Sequence, residues 1–143
     1  MTEMCAAVGS VQLKKLDGFI KRRRENAELL TERIKKIAGL TPPYVKNDFR
    51  HVLNQYAIKV EDDYPMNRNE LAGYLTKRDV GVAVHYPIPI YKQPFYKTLG
   101  YGGVVCPTVE QVCKRILSLP VHPSVTNEDI ACIVDFLQEV SGH

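Results

Sequence analysis

An amphipathic run from Glu3 to Ala38 constrains this chain more than any other feature. Val8, Leu16, Phe19, Ile20, Ala27, Leu30, Ile34 and Ile37 recur at three- and four-residue steps, which places them on one helical stripe. Lys14, Lys21, Arg22, Glu25, Glu32 and Lys36 occupy the opposite side. Gly39 stands where a left-handed cap is expected, and Pro42-Pro43 prevents the helix from resuming. At ~1.5 Å per residue one helix of this length would reach about 50 Å. The roughly one hundred residues that follow are too few to cover it. Its Met4 to Val11 end is expected to need another surface.

Downstream, the patterns alternate. HVLNQYAIKV reads as a strand over 52–60, with Val52, Tyr56, Ile58 and Val60 on one face. Asn67 and Glu70 have the spacing of a capping box, which predicts a helix to about Asp79 with Leu71, Tyr74 and Leu75 inward. GVAVHY reads as a second strand over 81–86, and the Pro- and Gly-rich run at 87–103 as irregular. Pro107 suits the first turn of a helix whose inner stripe is Val109, Val112, Cys113 and Ile116. A short extended piece at 118–121 precedes a last helix, capped by Thr126, with Ile130, Ile133, Val134 and Leu137 facing inward. The sum is an α+β domain: a small, mainly antiparallel sheet covered by helices on one face, preceded by a long N-terminal helix.

Charge and cysteine content exclude several classes. The net charge is +3, and the segment 13–36 alone carries an excess of five positive charges, so the remainder is slightly negative. A basic run on one helix is the pattern of a solvated face, and no nucleic-acid reading motif accompanies it. Arg22, Arg23 and Arg24 fan across ~200° of a helix and cannot converge on one anion. Cys5, Cys106, Cys113 and Cys132 form no CxxC pair, and Cys113 and Cys132 fall in apolar patterns that suggest buried thiols. His51 and His122 have no second ligand at metal-binding spacing, so no metal is expected. No apolar run approaches the ~18 residues of a membrane span, and no signal peptide opens the sequence; a cytoplasmic protein is expected.

His85 and Tyr86 are the candidate ligand-contacting residues, because they end a strand just before a Pro-rich loop. Imidazole and phenol both suit hydroxyl and phosphate partners. The same pair could simply end the strand and pack beneath the loop, and spacing alone leaves both readings open.

Four segments carry a resemblance. Met1, Ala6, Ala7, Gln12, Leu13, Leu16 and Arg22-Arg23 in the opening helix, HVLNQYAIKV with the helix Arg68–Leu75, VAVHYPIPIYKQPFY, and ILSLPVHPSVTNEDI occur in order. Together they resemble the C-terminal small domain of the DegT/DnrJ/EryC1/StrS sugar aminotransferases. The resemblance implies residues 1–38 as a connecting helix from a large domain that is not in this sequence, and 39–143 as the small domain. It implies a pyridoxal-phosphate-dependent parent, a homodimer, that moves an amino group from glutamate to a nucleotide-linked keto-sugar. His85, Tyr86 and Tyr91 would then contact substrate; at Tyr91 the family often has a second histidine. None of the eleven lysines lies in the family's Ser-x-x-Lys-like setting. No catalytic, cofactor-binding or metal-binding residue is therefore assigned, and this chain alone is expected to be inactive and to bind no cofactor. Tyr86–Pro87 is a candidate cis bond. A second reading also stands: an independent α+β binding module that uses the fold without its chemistry.

Overall fold

The apolar stripe at the N-terminus is carried by two helices, not one. In the computed structural model, which describes residues 2–142, α1 spans Glu3–Leu13 and α2 spans Leu16–Ile34. Met1 lies outside the described residues, and so does that part of the resemblance. Thr2 caps α1 by accepting from the Cys5 amide at 3.4 Å. The break falls at Lys14-Lys15, where the Lys15 amide bonds three residues back to the Gln12 carbonyl and tightens the last turn. No side chain of α1 is buried, whereas α2 buries Asn26, Ala27, Leu30 and Ile34. Helices in proteins draw most of their stability from a packed face. Among the described residues, α1 has none to hold it in line with α2.

Beyond α2 the chain turns through 35–38, so the helix stops short of the expected Ala38. Gly39 then adopts φ +78°, and a Cβ there would lie 2.6 Å from the Tyr64 backbone nitrogen. Only glycine combines that dihedral with that approach. β1 (Leu40–Thr41), β2 (Tyr56–Val60) and β3 (Ile116–Leu119) form an antiparallel sheet in the order β1-β2-β3. Leu40 faces Val60, and Tyr56, Ala57 and Ile58 face Leu119, Ser118 and Leu117.

Two expected strands are shorter than their patterns. The first begins at Tyr56 rather than 52, because Leu53 turns to φ +50° and Val52 is exposed. The segment expected as a strand over 81–86 makes only a bridge, with Ala83 and Ser118 exchanging both backbone hydrogen bonds at 3.1 and 2.8 Å. Pro87 and Pro89 have no N–H with which to continue that ladder. The extended piece expected at 118–121 is β3, which ends before Pro120 for the same reason.

The remaining helices follow their caps. α3 (Arg68–Thr76) opens on the Asn67/Glu70 capping box and buries Leu71 and Leu75. α6 (Asn127–Ser141) opens on a Thr126/Asp129 box and buries Ile130, Ile133, Val134 and Leu137. The run at 87–103, expected to be irregular, contains the short α4 (Pro94–Thr98) and single 3-10 turns at Ile90–Lys92 and Tyr101–Gly103.

One core joins α2, α3, α6 and the sheet, centred on Leu30, Ile34, Tyr56, Ile58, Leu117 and Leu137. Two buried hydroxyls tie it together. Tyr56 pairs with Thr31 at 2.8 Å, and Tyr64 donates to the Leu137 carbonyl at 2.8 Å. α5 (Pro107–Arg115) departs from expectation, since none of its side chains is buried and Val109 and Val112 are 44% and 40% exposed. Its stripe is real but faces a cavity, not the core. All four thiols are free, and Cys132 lies exposed on α6, off the face that buries Ile130, Ile133, Val134 and Leu137.

Candidate functional site

His85 stands in the wall between two hollows. The smaller, about 340 Å³, lies between the 85–93 segment and α5 and is lined by Tyr86, Ile88, Gln93, Val109 and Cys113 as well as His85. The larger, about 640 Å³, lies beside α6 and β3, with Arg23, Arg78, Ser118, His122 and Asp129 on its walls. The Ala83–Ser118 bridge fixes the strand end from which His85 projects. Its Nδ1 lies 3.3 Å from the Ser118 hydroxyl. Tyr86 is 69% exposed, and its ring meets the imidazole edge-on with centroids 6.0 Å apart. The cis bond expected at Tyr86–Pro87 lies one residue earlier, at His85–Tyr86.

Of the three residues expected to contact substrate, the structure brings His85 and Tyr86 together and sets Tyr91 apart. Tyr91 is buried, is not among the residues lining either hollow, and donates to Glu110 Oε1 at 3.1 Å. Lys92 closes on the other Glu110 oxygen at 2.7 Å. Glu110, held below the usual carboxylate range chiefly by Lys92, thus staples the loop to α5. Burial, and then the bond to Glu110, push the Tyr91 hydroxyl above its ordinary value. Gln93, Ser118 and Glu110 were not legible as site residues. A lone hydroxyl inside the apolar run ILSL was the one available signal, and it pointed to Ser118.

The arginine triplet disperses as the helical fan requires. Arg22 donates to the Val125 carbonyl and to Asn127, while Arg23 donates to the Asn54 carbonyl. Among the described residues no cluster of three or more His, Cys, Asp or Glu could hold a metal ion. No helix among them is long and apolar enough to cross a membrane.

The model of the DegT/DnrJ/EryC1/StrS aminotransferase family matches residues 1–138. The chain belongs to that family. Its relatives include the dTDP-4-dehydro-2,3,6-trideoxy-D-glucose 4-aminotransferase of Saccharopolyspora spinosa, 34% identical over 99% of this chain and 35% of that protein. The spore coat polysaccharide biosynthesis protein SpsC of Bacillus subtilis is 33% identical over 98% of this chain and 36% of its own length. The PLP-form of Spr1654 from Streptococcus pneumoniae superposes with a TM-score of 0.89 over 99% of this chain and 36% of that one. At 24% identity that likeness speaks for the fold alone. The chain therefore spans only about a third of the length of the relatives it matches.

For a member of the DegT/DnrJ/EryC1/StrS family, the lysines decide how much of the coenzyme chemistry resides here. Imine formation needs an amine kept neutral by burial and neighbours. Nine of the eleven lysines are exposed. The half-buried pair, Lys59 and Lys92, are each taken up by a glutamate at 2.7 Å. The lysines of this chain do not fit an imine-forming site.

Proposed function

We propose that this chain is the C-terminal small domain of a pyridoxal-phosphate-dependent sugar aminotransferase, acting on a nucleotide-linked keto-sugar with glutamate as amino donor. The observation that carries the reading is a family match along residues 1–138 in a chain that offers a walled, half-open site at His85 and Tyr86 but no buried lysine. The coenzyme would be held by a large domain in sequence outside these residues, and the chain alone would be inactive. His85 and Tyr86 would contact the sugar nucleotide as hydrogen-bonding groups, and Tyr91 would act through the loop it anchors to Glu110. Positioning of this kind is a recognised catalytic contribution, because orientation replaces a share of the entropy cost of reaching the transition state.

Two unfilled apolar surfaces support the proposed partners. Met4, Val8, Val11, Leu13, Leu16 and Phe19 are exposed along α1 and the start of α2. Ile88, Ile90, Phe95, Leu99, Val105 and Val109 are exposed around the site loop. Patches of this extent mark contact surfaces. The reading assigns one to the large domain and the other to a second subunit of a homodimer.

A graft tests the function. This chain replaces the matching third of the Saccharopolyspora spinosa aminotransferase, and glutamate-dependent amination of that enzyme's keto-sugar nucleotide is followed. Restored transfer is expected. A graft that folds and binds the coenzyme yet aminates no sugar would overturn the reading. Separately, the isolated chain mixed with pyridoxal phosphate should develop no stoichiometric, lysine-linked absorption band, and such a band would contradict the proposed division of labour.

A further inference from the structure

Ser118 is buried in the middle of β3, flanked by the buried Leu117 and Leu119. Among the described residues its hydroxyl has one side-chain partner, His85 Nδ1 at 3.3 Å. A hydroxyl carries one proton to donate and lone pairs to accept, whereas a neutral imidazole has one nitrogen of each kind. Leaving a buried O–H proton without an acceptor is costly. Among the described residues Nδ1 is the one side-chain acceptor within reach, and a neutral ring that accepts there carries its own proton on Nε2. The backbone makes this geometry a fixed one: Ala83, two residues before His85, exchanges both its hydrogen bonds with Ser118. The second ring nitrogen, Nε2, has no partner among the described residues.

We infer that Ser118 is a positioning residue whose hydroxyl donates to His85 Nδ1, holds the neutral imidazole in the tautomer protonated on Nε2, and so presents His85 to the ligand as a hydrogen-bond donor. The ligand atom that meets it is an oxygen acceptor. Protonation of the ring leaves the Nε2–H in place, with Nδ1–H then donating to the Ser118 oxygen, so the outward donor persists in both charge states. This deepens the proposed function and rests on it for the identity of the ligand, but not for the arrangement of Ser118 and His85.

Long-range proton–nitrogen spectra of the imidazoles in the 143-residue chain, recorded at mildly alkaline pH and assigned with His85→Gln, test it. The expected result is a single tautomer at His85, protonated on Nε2, with Nδ1 shifted as an accepting nitrogen. In Ser118→Ala the Nδ1 signal should move to that of a free nitrogen while the Ala83 amide keeps its place, and Ser118→Thr should restore it. A wild-type ring protonated on Nδ1 or divided between tautomers overturns the inference, whether or not the alanine variant folds. So do unchanged His85 nitrogens in a folded Ser118→Ala chain. In the grafted enzyme, Ser118→Ala should raise KM for the keto-sugar nucleotide about tenfold while kcat stays within about twofold. An unchanged KM beside the expected spectrum overturns the substrate contact. A graft that aminates nothing, in a chain showing that spectrum, defeats the functional reading and leaves the Ser118–His85 pair standing.

Discussion

Tyr56 and Tyr64 show how single hydroxyls set the limits of this fold. Burial raises the Tyr56 phenol to about 12, against a partial offset from Thr31, and burial pushes Tyr64 higher still. In the unfolded chain both ionise near 10. Above that pH the unfolded state binds fewer protons than the native one, so stability that is complete below pH 10 drains away as pH rises towards 12. The expected slope is about 1.4 kcal/mol per pH unit for each buried tyrosine. Urea titrations at a series of alkaline pH values check it, and Tyr56→Phe should roughly halve the slope. Gly39 sets a steric limit in the same way. Gly39→Ala would place a Cβ 2.6–2.7 Å from Tyr64 backbone and side-chain atoms at φ +78°. A loss of about 2–5 kcal/mol is expected from left-handed strain and overpacking together, read as a fall in denaturation midpoint.

At the scale of elements, the boundary between α1 and α2 divides the stable part of the chain from the part awaiting a partner. The core begins at Asn26 and Ala27, and nothing in α1 is buried. Deleting residues 2–13 should therefore change unfolding free energy by less than about 1 kcal/mol. Amides of α1 should also exchange with solvent far faster than those of α6. A large loss of stability on this deletion would mean that α1 packs on the rest of the chain. The capping box at Asn67 and the cap at Thr126 were legible in the sequence, because a cap is a contact over three residues; that Asp129 closes a second box was added by the structure. The second strand was not. VAVH has the composition of a strand, yet whether it joins a ladder depends on Ser118, more than thirty residues away. The inner stripe of α5 failed likewise, since periodicity identifies an apolar side without saying whether core or cavity lies against it.

For the whole molecule, the exposed apolar side chains dominate behaviour in solution. Met4 and Leu13 are 79% and 70% exposed, at one end of the stripe that continues through Phe19. The isolated chain should self-associate as its concentration rises, measured by light scattering. Leu13→Asp combined with Phe19→Asp should lower the apparent mass towards that of a monomer without lowering the melting temperature, because neither side chain belongs to the core. A wild-type chain that stays monomeric at high concentration would count against the dimer proposed above.

Local chemistry determined what could be read without a structure: the buried faces of α2, α3 and α6, the caps, the αL position of Gly39, and the Pro-rich loop that opens at Pro87. Each depends on residues a few positions apart, where covalent geometry fixes the spacing. Tertiary structure decided the rest. It determined that one stripe becomes two helices, that α5 walls a hollow, that Tyr91 turns to Glu110, and that Ser118 meets His85. Those outcomes turn on groups far apart in sequence competing for burial and hydrogen bonds, and only the folded chain sets the distances that settle such competition.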